Sequence, residues 1–175
     1  MIAASRKSAL VGALAFAWLL GATTLAVAQT KTTVQYRQVH HETESHYFPV
    51  DNPDKGHVYG AWSRKGLAIF ADGEVAAYSA LGNIDITKGK GTISGYDRTV
   101  FGDGSTWTTK FEGQFSIGPN GLWVIPHGGK FIEGTGRFAG IQGTLTYTSR
   151  QVDKSKEFKS LAVTEGSASY TLPAK

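Results

Sequence analysis

The sequence predicts an all-β fold, a single closed or nearly closed antiparallel β-barrel of about eight strands. Three observations lead there. Apolar and polar residues alternate with a period of two over most of the chain after Gln29, and no convincing 3.6-residue period competes with it. Turn-forming residues interrupt these runs at short, regular intervals. Glycine also recurs inside the runs, at Gly60, Gly66, Gly82, Gly95 and Gly113. Interior glycine weakens a flat strand but suits a sheet that bends sharply, as a small barrel must.

The elements follow in order. Residues 1–28 are expected to be a signal peptide. Arg6 and Lys7 precede an uncharged, apolar stretch from Ala9 to Ala28 that ends Ala26-Val27-Ala28, the small-residue pattern signal peptidase accepts. An uncleaved anchor is the alternative, since about 20 apolar residues can span a bilayer; Gly12, Gly21, Thr23 and Thr24 weaken it. Cleavage after Ala28 leaves residues 29–175 as one domain, destined for the periplasm or the exterior. Within it, strands are expected at 33–47, 57–70, 74–87, 91–101, 105–117, 121–126, 130–138, 142–152 and 162–172. Trp107, Phe111, Phe115 and Ile117 share one face of the fifth, opposite Thr108, Lys110, Glu112, Gln114 and Ser116. Asn52-Pro53-Asp54-Lys55-Gly56, Asp72-Gly73, Gly102-Asp103-Gly104, Pro119-Asn120-Gly121 and Pro126-His127-Gly128-Gly129 read as breaks. A short helical turn is expected only in Asp153–Leu161.

The run Gly134-Thr135-Gly136-Arg137-Phe138-Ala139-Gly140-Ile141-Gln142-Gly143, followed by Thr144-Leu145-Thr146-Tyr147-Thr148, resembles a signature of the allene oxide cyclase-like barrel superfamily. That group includes plant cyclases, dirigent proteins and a branch of bacterial exported proteins. The resemblance implies an eight-stranded calycin-like barrel with an apolar cavity. It does not imply cyclase activity, and no catalytic residue of the plant enzymes maps onto this chain.

Composition excludes several chemistries. The 175 residues contain no cysteine, so there is no disulfide framework, thiolate metal site or cysteine nucleophile. The 22 glycines lack a Gly-X-Y period. The formal net charge is +4, and loss of Arg6 and Lys7 with the signal lowers it to +2. With no basic run left, nucleic acid is not an expected partner. Gly134-Thr135-Gly136 lacks the spacing and the following helix of a dinucleotide fingerprint, and no Gly-x-Ser-x-Gly elbow occurs. No cofactor is expected.

His40, Glu42, Glu44 and His46 share a strand face and form the only metal-like cluster. Neighbours in that set lie about 6.7 Å apart along a strand, so two could share an ion but four could not. A solvated polar edge is the expectation, and no metal site is assigned. His127 is expected in an exposed loop. Glu112 is expected to face outward, and Asp97 shares a phase with Ile93 and Gly95. The lumen candidates are Tyr36, Trp62, Tyr96, Asp97, Trp107, Phe111, Tyr147 and Tyr170. Such residues can line a ligand cavity or simply fill a small barrel. The leading reading is a non-catalytic barrel binding a small apolar or amphipathic molecule. An isomerase, cyclase or dirigent-like enzyme using Asp97, Tyr96 or Tyr147 is the second. An envelope structural or interaction protein, self-associating through an apolar patch, is the third. After signal cleavage no membrane association is expected.

Overall fold

The computed structural model describes residues 30–51, 55–152 and 157–174. The expected signal peptide therefore lies outside the described residues. Eight strands follow one another: β1 (Thr32–Pro49), β2 (His57–Phe70), β3 (Val75–Thr87), β4 (Lys90–Val100), β5 (Thr106–Ile117), β6 (Trp123–Thr135), β7 (Gln142–Gln151) and β8 (Ala162–Thr171). Each pairs antiparallel with the next, and β1 pairs with β8 to close the barrel. The all-β barrel expected from the alternation is thus the fold.

Alternation sets which residues point inward. On β1 these are Tyr36, Gln38, His40 and Glu42, all buried. A bulge between Glu42 and Glu44 then shifts the register against β2. Glu44 and His46 fall on the exposed side of it, where their side chains bond each other at 3.0 Å. The expected solvated edge is corrected accordingly: His40 and Glu42 are interior groups, and only the second half of the cluster is solvated.

Two glycines facing one another show why glycine recurs in these strands. Gly82 on β3 pairs with Gly95 on β4. A Cβ on Gly82 would lie 2.8 Å from Trp62, and one on Gly95 would lie 2.8 Å from Phe111. The bare backbone there seats the stacked Trp62 and Phe111 rings, whose centroids are 6.1 Å apart.

Two expectations about elements are corrected. Residues 121–126 and 130–138 are not separate strands, because β6 runs straight through Pro126-His127-Gly128-Gly129. Pro126 is tolerated because β5–β6 pairing jumps from Gly113↔His127 to Ser116↔Val124, so the missing N–H falls in an interrupted stretch of ladder. The helical turn expected in Asp153–Leu161 does not occur in its described part. Residues 153–156 are outside the described residues, and residues 157–160 form a bend and turn. A 3-10 turn occupies Gly136–Phe138, where strand was expected. Gly136 adopts φ +59° there, and the Arg137 N–H donates to the Ser105 hydroxyl at 3.0 Å.

Candidate functional site

The barrel interior has three levels along its axis. At the end formed by the β2–β3, β4–β5 and β6–β7 connections lie Phe70, Phe101, Trp107, Phe131, Phe138 and Tyr170. Their rings meet mostly edge-on, with centroids between 4.7 and 6.2 Å apart. Such edge contacts suit the ring quadrupole. The 3-10 turn delivers Phe138 into this cluster. Arg137 lies across it, 4.6 Å from the Phe101 ring and 4.9 Å from that of Phe138. Glu74 accepts from Arg137 at 2.6 Å and Asp103 lies 3.5 Å away, so the guanidinium is held from both sides. A cavity of about 660 Å³ opens here, floored by Phe70, Phe101, Trp107, Phe138 and Tyr170 and rimmed by Thr33, Asp72, Glu74 and Arg137.

The middle level is packed with polar side chains. Thr99, Thr109 and Thr164 are fully buried, with Gln38, His40, Asp97 and Ser149 beside them. The Tyr147 hydroxyl donates to Asp97 at 3.4 Å. Burial raises the Asp97 carboxyl to about 7, and the nearby Thr109 and Tyr147 hydroxyls offset only part of that. Tyr36, Tyr78 and Tyr147 are all pushed well above the ordinary phenol range, chiefly by burial and secondly by Asp97 for each. Arg64 approaches His40 Nδ1 at 3.5 Å and can only donate, which leaves Nε2 to donate to Thr164 at 3.0 Å. Thr164 in turn bonds Ser149 at 2.7 Å. Burial, then Arg64 and neighbouring histidines, lowers His40 to about 3.

His127 also belongs to this level, which corrects the expectation of an exposed loop histidine. As part of β6 it points inward, stacked on Tyr147 at 4.5 Å with an 18° interplanar angle. Neither ring nitrogen has a hydrogen-bond partner. Burial, then Arg64, lowers it to about 3.

The other end is a charged mouth. Glu42 is 5% exposed and is met by Lys159 at 2.9 Å, Tyr47 at 2.8 Å and Arg64 at 3.6 Å. Burial pushes Glu42 up, yet the bonds from Lys159, Ser45 and Tyr47 and the Arg64 charge hold it below the usual carboxylate range. Arg64 itself lies 4.8 Å from the Trp123 ring and 5.4 Å from that of Trp62. It donates to the backbone and side-chain oxygens of Ser160, each at 3.2 Å. A smaller cavity of about 280 Å³ lies here, walled by Trp62, Ile84, Ile93, Phe115 and Trp123.

The lumen candidates thus divide. Trp107 and Tyr170 floor the large cavity, and Trp62 walls the small one. Tyr36, Asp97, Phe111 and Tyr147 are buried in the packed middle. Tyr96 is corrected: it is 43% exposed on the outer surface, because neighbours on a strand point opposite ways and Asp97 points in. Glu112 faces outward as expected. Arg64, Glu42, His40 and His127 are interior groups that the candidate set missed. On β1 the alternation Tyr36, Gln38, His40, Glu42 already placed two of them in phase with an aromatic residue.

No protein-family model matches the chain, and no curated protein matches it. Among solved structures, the chain is similar to the pterocarpan synthase dirigent protein GePTS1. The identity is 14%, with 91% of this chain and 99% of that chain covered and a TM-score of 0.45.

Proposed function

We propose that this is an exported barrel that binds a small amphipathic molecule without transforming it. The observation that carries the reading is the cavity of about 660 Å³ with its aromatic floor and polar rim. Its size falls within the range of small-molecule pockets, and an apolar floor with a few polar groups is how such pockets are built. The glycine signature at Gly134–Gly143, with its likeness to allene oxide cyclase-like barrels, supports the same reading. So does the Ala26-Val27-Ala28 pattern for export.

An enzymatic reading needs one of the candidates Asp97, Tyr96 or Tyr147 in a cavity, and of these Asp97 and Tyr147 lie inside the barrel. It is the weaker one, because neither of the two cavities described is lined by either residue. Self-association is favoured by one observation. Val163, Val39, Leu67, Ala77 and Val100 stand opposite one another across five neighbouring strands on the outer surface. Val39, Leu67 and Val100 are exposed, and such a row suits contact with a second copy of the chain.

The test is thermal melting of the mature protein against a library of lipids and phenolics, with Trp107 fluorescence as a second readout. A ligand should raise the melting temperature, and Tyr170→Ala should weaken it. If no compound shifts either signal, the binding reading fails. Light scattering of the same sample reads the assembly state, and mass spectrometry of exported protein should find Gln29 first.

A further inference from the structure

The charged mouth lies at the opposite end of the barrel from the large cavity and has different chemistry. Arg64, Lys159 and Tyr47 all converge on the one carboxylate of Glu42. Trp123 donates its indole N–H to Ser160 at 3.1 Å. Trp62, which is buried and walls the cavity, has an indole N–H with no acceptor among the described residues. Among the described residues of the mouth, two cations stand against one anion, a surplus of positive charge. Arg64 is only 10% exposed and remains cationic, since arginine does not lose its proton in proteins. A surplus cation beside an apolar-walled cavity favours an incoming anion with acceptor oxygens. The walls restrict what carries that anion. Trp62, Trp123 and Phe115 present flat apolar surfaces. The volume of about 280 Å³ lies just below the usual range for drug-sized ligands.

We propose that the mouth is a second binding site, for a small planar organic acid. Its carboxylate meets Lys159 and Arg64, and its ring lies among Trp62, Phe115 and Trp123. This goes beyond the proposed function, which concerns the aromatic end and an amphipathic ligand. Glu42 then acts as an internal competitor, occupying the cations when the site is empty.

The competition gives the test its sign. Benzoate and cinnamate are titrated into the mature protein by calorimetry, alongside the neutral benzamide and cinnamamide. The acid should bind at least tenfold more tightly than its amide. Lys159 is 57% exposed, so Lys159→Met should leave the fold intact, and it should weaken the acid several-fold. Glu42→Gln should strengthen it, because a competing charge is gone while the side-chain shape stays. Arg137→Ala, at the other end, should leave it unchanged. Circular dichroism confirms that each variant is folded. Equal affinity for acid and amide, no binding of either acid, or loss of binding in Arg137→Ala in place of Lys159→Met would overturn the proposal. Loss in Arg137→Ala would move the acid to the aromatic end and leave that reading standing, while absence of acid binding leaves lipid and phenolic binding there untouched, so the two readings fail separately.

Discussion

Asp97 and Tyr147 meet inside the barrel, the phenol donating to the carboxylate over 3.4 Å. The pair places an ionisable acid where water does not reach, and the acid answers by holding its proton up to about pH 7. An unfolded aspartate loses that proton near pH 4. Between these limits the folded chain binds more protons than the unfolded one, so stability from this group is full below pH 4 and falls as pH rises through 7. Asp97→Asn keeps an acceptor for Tyr147 and cannot ionise. Its advantage over the wild type should grow between pH 4 and pH 8, by something on the order of 4 kcal/mol. Chemical denaturation at both pH values measures it, and two parallel stability curves would contradict the buried-acid account.

His127 carries the opposite dependence. Its folded form stays neutral down to about pH 3, while an unfolded histidine protonates near 6.5. Stability from this group is present above 6.5 and is lost as pH falls toward 3. His127→Phe keeps the stack on Tyr147 and removes two unsatisfied nitrogens. The variant should be more stable than the wild type by about 1–2 kcal/mol at pH 7. It should also lose less stability on acidification, with His40 supplying the slope that remains. Melting temperatures at pH 7 and pH 5 decide the matter.

Thr164 holds two partners at once, His40 at 3.0 Å and Ser149 at 2.7 Å. Thr164→Val keeps the volume and strands both partners in a buried setting. The expected loss is about 1–3 kcal/mol in urea denaturation. Thr164→Ser keeps the hydroxyl and should recover most of it. If serine and valine behave alike, the loss comes from packing and the hydrogen-bonded chain contributes little.

Gly95 offers a steric test. A methyl there would press within 2.7 Å of the Gly82 Cα and 2.8 Å of the Phe111 ring. Gly95→Ala should destabilise by about 1–3 kcal/mol, as overpacking does. Gly102 has nothing within 4 Å of the same methyl position, so Gly102→Ala is the control and should melt close to wild type.

The fold was legible because period-two alternation and interior glycine are local signals that survive into the barrel. Trp107 and Phe111 could be placed on an inward face from their own strand alone. What alternation cannot supply is the absolute phase of a strand without such an anchor. Tyr96 and Asp97 are neighbours, so only one could face inward, and that choice depends on Gly95 packing against Phe111 across the sheet. The bulge after Glu42 is equally silent in the sequence, yet it separates two interior groups from two solvated ones. Pro126 misled for a related reason. A proline breaks a ladder only where its N–H is needed, and here the neighbouring strand makes no such demand. The mouth depends on Lys159 and Ser160 folding back from the β7–β8 connection, a contact between distant parts of the chain that no local pattern announces.

The β1–β8 seam has a kinetic side. It joins Thr33 to Ser169, 136 positions apart, so the last ladder forms only after the rest of the chain has been gathered. Pairing across such a separation is entropically costly and slows folding. Until it closes, β1 and β8 are two open edges able to accept strands from other chains. A chain made with β1 first must keep that edge unmatched until β8 arrives, so the closing of the seam is also the step most exposed to aggregation.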